Sequence, residues 1–405
     1  MLHRSFYLCL VLSMLLTQSL RMLRSSPARW GRLSFVRAQS SNDDAGGLGD
    51  LVLPAGNLAQ IYSAATEWLT RSGVEDADDS ARHMIAHATQ IGTRRSDFFG
   101  NQQRPLSPTE RHHLSLMCAQ RARREPVQYI VGNWDFYGLT LNCRRPVLIP
   151  RPETEELVER ILASGVLQGL RRPRILDVGS GTGAIGLALL SQLPTAECVA
   201  IDINPVAVEL ARENAAALGM GGEIAGLGMG IGGVGAGAGD SGTTGVRAGR
   251  YRCEHVDFRT FVKQQSIGGT GAGVGASVGS DIEGFDLIVS NPPYIPSAVV
   301  PTLQAEVRDY EDPQALDGGS DGLDIVRDII TLAPALLRGT HVPELWLEVS
   351  EEHPAMIEAW VGSAQYVQFV QKMQREFGVF GLRAEFVSGM ADLSGNPRFA
   401  RLRYI

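Results

Sequence analysis

Arg174-Ile175-Leu176-Asp177-Val178, Gly179-Ser180-Gly181-Thr182-Gly183 and Ala184-Ile185-Gly186-Leu187-Ala188-Leu189-Leu190 run consecutively, and this stretch decides the fold. The first five residues have the pattern of a buried strand, the next five that of a glycine turn, the last seven that of a helix. Glycines let the backbone reverse sharply and let a nucleotide-like ligand approach the amides of a helix N-terminus. The turn lacks the lysine of a phosphate-binding loop, and by itself it also suits a dinucleotide enzyme. About 20 residues on, Val199-Ala200-Ile201-Asp202 is a second strand ending in an acid, placed to accept hydrogen bonds from both hydroxyls of a ribose. A salt bridge or helix cap is the plain alternative for Asp202. The two elements together point to a nucleoside cofactor.

Outward from this unit, strand-like and helix-like stretches alternate from about residue 150 onward, which predicts a parallel α/β sheet. One strand carries more chemistry than the others. Phe285-Asp286-Leu287-Ile288-Val289-Ser290 is closed by Asn291-Pro292-Pro293-Tyr294. Two prolines fix φ at successive positions, making the turn rigid and leaving the Pro292 carbonyl without a ladder partner. The Asn291 side-chain oxygen and that carbonyl form a pair of acceptors suited to the two hydrogens of a planar –NH₂ group. Tyr294 is placed to stack on a flat substrate.

The rest of the chain frames this domain. From residue 51 to about 124, Leu58, Ile61, Tyr62, Ala65 and Leu69, then Met84, Ile85 and Ile91, recur at helical spacing and predict a small helical bundle. Between Pro126 and Leu148 the residues Tyr129, Ile130, Val131, Trp134, Phe136 and Tyr137, with Gly132 and Gly138, predict a linking β-hairpin. Glycine is abundant, 46 of 405 residues, and its excess falls in two low-complexity stretches, about 219–249 and 267–280, read as flexible surface insertions. No acidic residue precedes Asp43, whereas Arg4, Arg21, Arg24, Arg29, Arg32 and Arg37 do, and residues 1–45 are expected to be an organellar transit peptide, mitochondrial rather than chloroplast or cytoplasmic. The apolar run from Phe6 to Leu16 is too short to span a bilayer. Cys9, Cys118, Cys143, Cys198 and Cys253 form no metal-binding spacing, which argues against a zinc site or a disulfide framework. A net charge of -7 argues against a nucleic-acid-coating protein.

The turn Asn291 to Tyr294 looks like that of the amino-group methyltransferases that use S-adenosylmethionine. The chain resembles the HemK/PrmC family, the peptide-chain-release-factor glutamine N5-methyltransferases. The likeness rests on Glu125-Pro126-Val127-Gln128-Tyr129-Ile130-Val131-Gly132 and Leu148-Ile149-Pro150-Arg151-Pro152-Glu153-Thr154-Glu155. It also rests on the glycine turn, Asn291 to Tyr294, Ala315 to Leu323, and Asp392-Leu393-Ser394-Gly395-Asn396-Pro397-Arg398.

The resemblance implies a class I, Rossmann-like methyltransferase domain over 150–405, a hairpin linker over 126–149 and a helical substrate-docking domain over 46–125. Gly179, Ser180, Gly181, Thr182 and Gly183 would pack against the methionine part of S-adenosylmethionine, Asp202 would hold its ribose, and Phe258 would lie beside its adenine. Asn291 would stand between cofactor and substrate. Asn291 and the Pro292 carbonyl would bind the glutamine amide of a release factor's Gly-Gly-Gln motif, with Pro293 and Tyr294 beside it. A monomer with no metal, no membrane segment and no stable nucleic-acid partner is expected. The main alternative is an adenine-N6 methyltransferase, because an exocyclic amine presents the same –NH₂ geometry, although such an enzyme needs a basic, aromatic target-recognition region. A cofactor-binding scaffold without catalysis is a further alternative, disfavoured by the intact Asn291 to Tyr294.

Overall fold

The computed structural model describes residues 51, 53–222, 250–267, 284–338, 343–377 and 383–405. The expected presequence and all but the edges of the two glycine-rich stretches lie outside the described residues. Two units divide the chain, one running to Cys118 and the other from Ala119 to Ile405.

The first unit is helical. Helix α1 (Leu58–Arg71) begins at Asn57, whose side chain accepts from the Gln60 amide while the Gln60 side chain accepts from that of Asn57. This reciprocal cap satisfies two donors that the first turn would otherwise leave open. Leu58, Ile61, Ala65 and Leu69 are fully buried on one face. Helices α2 (Ala77–Thr89), α3 (Arg95–Gly100) and α4 (Pro108–Ala122) follow, with Met84, Ile85 and Phe98 in the interior. The boundary between these units falls inside α4. Within the second unit, Arg121 and Arg124 both pair with Glu306.

The hairpin is shorter than its aromatic and β-branched content suggests. Val127–Val131 forms a helical turn, α5, entered through Pro126 and closed by Gly132 at φ 78. Burial decides this segment: Val127, Gln128 and Val131 face inward, and the Tyr129 hydroxyl donates to the Val147 carbonyl. Strands β1 (Asn133–Phe136) and β2 (Leu139–Asn142) then pair antiparallel. Tyr137 and Gly138, both at positive φ, make the two-residue connection whose twist suits a hairpin.

The remaining elements are α6 (Pro152–Ser164), β3 (Arg174–Val178), α7 (Ala184–Gln192), β4 (Glu197–Asp202), α8 (Pro205–Ala217), β5 (Tyr251–His255), α9 (Phe258–Ile267) and β6 (Leu287–Ser290). They continue with α10 (Ala305–Arg308), α11 (Pro313–Leu316), α12 (Asp324–Leu332), β7 (Glu344–Glu348), α13 (His353–Val361), α14 (Ala364–Phe377), β8 (Ala384–Ala391) and β9 (Pro397–Tyr404). Among the described residues seven strands form one sheet in the order β5-β4-β3-β6-β7-β9-β8, in which β9 runs opposite in direction to the other six.

Alternate side chains of the central strands enter opposite hydrophobic layers. Leu176, Val178, Val199, Ile201, Ile288, Leu345 and Leu347 pack with α9, α12 and α14. Ile175, Cys198, Ala200, Leu287, Val289 and Trp346 pack with α6, α7 and α8. A sheet covered on both faces favours apolar residues on both sides of its strands, which is why these strands read as largely hydrophobic runs. The expected class I methyltransferase sheet is therefore present, with its reversed last strand.

Candidate active site

The chain steps outward from β3 to β4 to β5, then returns to place β6 on the other side of β3. Open α/β sheets bind ligands at the carboxyl ends of strands where the order reverses in this way. Here the reversal lies between β3 and β6, which are in register at Val178 and Ser290. Gly179 and Asn291 therefore leave adjacent strands at the same level. The Ser290 hydroxyl donates to the Val178 carbonyl at 2.6 Å and clamps the two strand ends together.

Gly179, Gly181 and Gly183 have φ of 74, 54 and 84, a region that residues with a Cβ seldom adopt. A Cβ on Gly179 would face the Asn291 carbonyl at 3.9 Å. A side chain on this residue would project into the gap between the two turns. The amides of Gly179 and Ser180 both donate to the Ile201 carbonyl, which draws the turn against the end of β4. Asp202, the next residue, accepts from the Gly181 amide at 2.9 Å and from the Asn204 amide at 2.8 Å. Each carboxylate oxygen retains a lone pair for a ribose hydroxyl. Burial pushes the Asp202 carboxyl above its usual range, opposed by these amide donors.

The other expected cofactor residues sit deeper. The Ser180 hydroxyl meets the Cys253 sulfur at 3.3 Å, and Thr182 is buried. Asn214 holds the turn from below: its Nδ2 donates to the carbonyls of Thr182 and Asn142, and its Oδ1 accepts from the Asn142 amide. Phe258, at 4% exposure, packs in the core layer with Val199 and Ile201. It can serve as a wall behind an adenine but offers little ring surface.

On the substrate side, Asn291 is half-buried and its Nδ2 donates to the Thr154 hydroxyl at 3.3 Å. No donor among the described residues reaches the Pro292 carbonyl. Tyr294 has its phenol among Glu348, Arg398, Arg151 and Glu153. Burial, with the Glu348 carboxyl second, raises its pKa and keeps the hydroxyl protonated.

The Asn291 to Tyr294 turn rests on a second loop. Ile295 N donates to Leu316 O, Gly318 N to Ile295 O, and Ser297 N to Gly319 O. A Cβ on Gly318 would lie 2.6 Å from the Pro293 carbonyl oxygen, and one on Gly322 would lie 2.3 Å from that of Tyr294. Both glycines are needed for this close backbone approach. Arg151 forks onto Glu311 at 2.7 and 2.6 Å, joining the start of α6 to the loop before α11.

The sequence reading gives no role to Thr154, although the motif Leu148–Glu155 contains it, or to Glu348. Glu348 ends β7, one residue past the Ser290–Leu347 pair, and so lies beside Asn291. It is 1% exposed, and its Oε2 has no hydrogen-bond partner among the described residues. Burial pushes its carboxyl up to about 7. The signal available for it is the one that marks Asp202: an acid closing a buried strand.

Residues 60–132 match the family model described as PrmC N-terminal domain, and residues 157–239 match Methyltransferase small domain. The human "MTRF1L release factor glutamine methyltransferase" is 32% identical over 86% of this chain and 89% of its own length. The "Release factor glutamine methyltransferase" of Geobacter sulfurreducens is 34% identical over 76% and 86%. Among solved structures, a SAM-dependent methyltransferase from Agrobacterium tumefaciens covers 67% of this chain and 70% of that one, at 14% identity and a TM-score of 0.35.

Proposed function

We propose, on the premise that the chain belongs to the release factor glutamine methyltransferases, that its substrate is the glutamine of the Gly-Gly-Gln motif in a peptide chain release factor of the mitochondrion. The reaction is S-adenosylmethionine-dependent methylation of the glutamine side-chain nitrogen. The observation that carries the site assignment is the meeting of the Gly179–Gly183 turn and the Asn291–Tyr294 turn at neighbouring strand ends.

S-adenosylmethionine supplies, when bound, a methyl group on a positively charged sulfur. The chain's own work is on the amide. An amide nitrogen is a poor nucleophile because its lone pair is delocalised into the carbonyl. Asn291 Oδ1 and the Pro292 carbonyl accept its two hydrogens and fix the nitrogen's position. With both hydrogens held, density returns to the lone pair as the amide leaves planarity. Orientation of this kind is worth up to about 7–11 kcal/mol in well-placed systems. After transfer the nitrogen gives up to solvent water one of the protons that these acceptors held.

The names of the curated relatives support a protein glutamine over the exocyclic amine of adenine. The matched front module is the natural docking element for the release factor. Among the described residues no helix is long and apolar enough to cross a membrane. The organellar reading rests on the arginine-rich, acid-free segment before Asp43. Its test is methyl transfer to mitochondrial and cytosolic release factors side by side, with imaging of the full-length chain in cells. Labelling of the mitochondrial factor and a mitochondrial image are expected. Labelling of the cytosolic factor alone, with a cytosolic image, would remove the organelle from the proposal.

A further inference from the structure

We propose that residues 392–398, the turn joining β8 to β9 and the start of β9, form the surface on which the release factor rests beside its Gly-Gly-Gln motif. Leu393 meets an apolar patch of that protein, and the Arg398 guanidinium donates to main-chain carbonyls of the segment that carries the motif. The inference rests on the glutamine-methylation reading and adds to it the surface that holds the protein substrate.

Strand order places this segment at the site. β9 runs antiparallel to β7, so its first residues stand at the carboxyl end of β7, with Phe399 opposite Glu348 and the Arg398 carbonyl accepting from the Val349 amide at 2.9 Å. Leu347 in turn lies opposite Ser290, the residue before Asn291. The turn therefore stands at the same edge of the sheet as Asn291, two strands away, or about 10 Å at ordinary strand spacing. Helix α6 joins the two: Thr154 accepts from Asn291 Nδ2, and Glu156, two residues on, takes the Leu393 amide at 3.0 Å. The cofactor residues Gly179–Gly183 and Asp202 follow β3 and β4, on the opposite flank of Asn291. A protein delivering its glutamine to Asn291 is left the β7–β9 flank, where this turn stands.

The turn is held firmly from within and displays an apolar side chain outward. Asp392, 8% exposed, takes the Ser394 and Asn396 amides on one carboxylate oxygen, both at 2.9 Å. Gly395, at φ 88, donates to the Asp392 carbonyl, and Arg160 of α6 donates to that of Ala391. Leu393 is nevertheless 87% exposed, the highest value of any large apolar residue among those described. A leucine set on a fixed turn loses little freedom when a partner covers it, and its burial is worth roughly 10- to 100-fold in affinity.

Arg398 supplies the polar half of the surface. Its side chain is 13% exposed, and its Nε is buried without a hydrogen-bond partner. Among the described residues Asp392 is the only carboxylate in ion-pair reach, and that at 4.0 Å. A guanidinium has five donors and no acceptor, so an unmatched one this far buried is costly for stability alone and points to oxygens supplied by a ligand. The hydrogens of the substrate's side-chain amide are already assigned to Asn291 and Pro292. The main-chain carbonyls of a glycine segment carry no side chains over them and are open to a planar donor.

The experiment uses the full chain and an intact release factor, with Leu393→Ser, Leu393→Met and Arg398→Gln. Leu393→Ser should raise KM for the release factor roughly 10- to 100-fold while kcat at saturation, S-adenosylmethionine affinity and thermal unfolding stay put, the pattern of lost uniform binding. Leu393→Met should keep KM near that of the wild type. Arg398→Gln should raise KM roughly 10-fold or more. Leu393→Ser disturbs no buried contact, so it decides the proposal even where Arg398→Gln is unstable. A benzophenone side chain placed at position 393 should crosslink to the release factor within the domain that bears Gly-Gly-Gln. Wild-type KM in either folded variant, or crosslinks from position 393 to a second copy of the chain or to another part of the factor, would overturn the proposal and leave glutamine methylation standing. Failure of the wild type to methylate the factor at any concentration would overturn the underlying reading and this proposal with it.

Discussion

Asn291→Ala is expected to lower kcat for methyl transfer by roughly 10²- to 10³-fold, the loss typical of one pre-organised hydrogen-bonding group at a reacting centre. Affinity for S-adenosylmethionine should stay within about twofold, because the Gly179–Gly183 turn and Asp202 stand on β3 and β4 and keep their own hydrogen bonds. Folding should survive as well. Asn291 is half-buried, and among the described residues its side chain hydrogen bonds only to Thr154. Single-turnover transfer measured beside calorimetric cofactor binding separates the two effects. Wild-type turnover would remove Asn291 from the site, and a parallel collapse of cofactor binding would make it a cofactor residue instead.

The second large effect is structural. Gly322 has φ 77, and a Cβ there would come within 2.3 Å of the Tyr294 carbonyl oxygen and 2.7 Å of the His353 ring. Neither neighbour can retreat freely. Tyr294 belongs to the substrate turn, and the His353 ring is hydrogen-bonded to the Asp321 carbonyl at 3.1 Å. Gly322→Ala combines a left-handed backbone with an overpacked contact and should cost roughly 2–5 kcal/mol. Gly138 provides the control, with φ 78 but nothing within 4 Å of where its Cβ would stand. Gly138→Ala bears only the backbone term of about 1–2 kcal/mol. Thermal unfolding should rank Gly322→Ala well below Gly138→Ala, and at a temperature where both are folded only Gly322→Ala should have lost kcat. Equal melting points for the two variants would mean that the loop does not seat Tyr294 as described.

The parts of the site readable from sequence are those whose chemistry is local. A glycine turn between a buried strand and a helix, or an acid at a strand end, carries its meaning within a few residues, so Gly179–Gly183 and Asp202 can be placed on one ligand. The Asn291–Tyr294 turn is legible for the same reason, because two prolines leave the backbone little choice. What stays hidden depends on strand order. Thr154 meets Asn291 because α6 begins beside it, and Glu348 stands at the neighbouring strand end where β7 closes, 137 and 57 positions of chain away. Residues 127–131 mislead because their aromatic and β-branched side chains favour strands. Pro126 at the entrance, Gly132 in the left-handed region and burial of Val127 and Val131 outweigh that preference. Phe258 is expected from the resemblance as a ring at the ligand, whereas most of its surface is taken by the core beneath the sheet.

Mass spectrometry of a release factor incubated with the purified chain and isotopically labelled S-adenosylmethionine tests the central claim most directly. The expected result is one methyl group on the side-chain nitrogen of the Gly-Gly-Gln glutamine, absent when that glutamine is replaced and absent with Asn291→Ala. Methylation at any other residue, or label in DNA or RNA with the factor left unmodified, would contradict it.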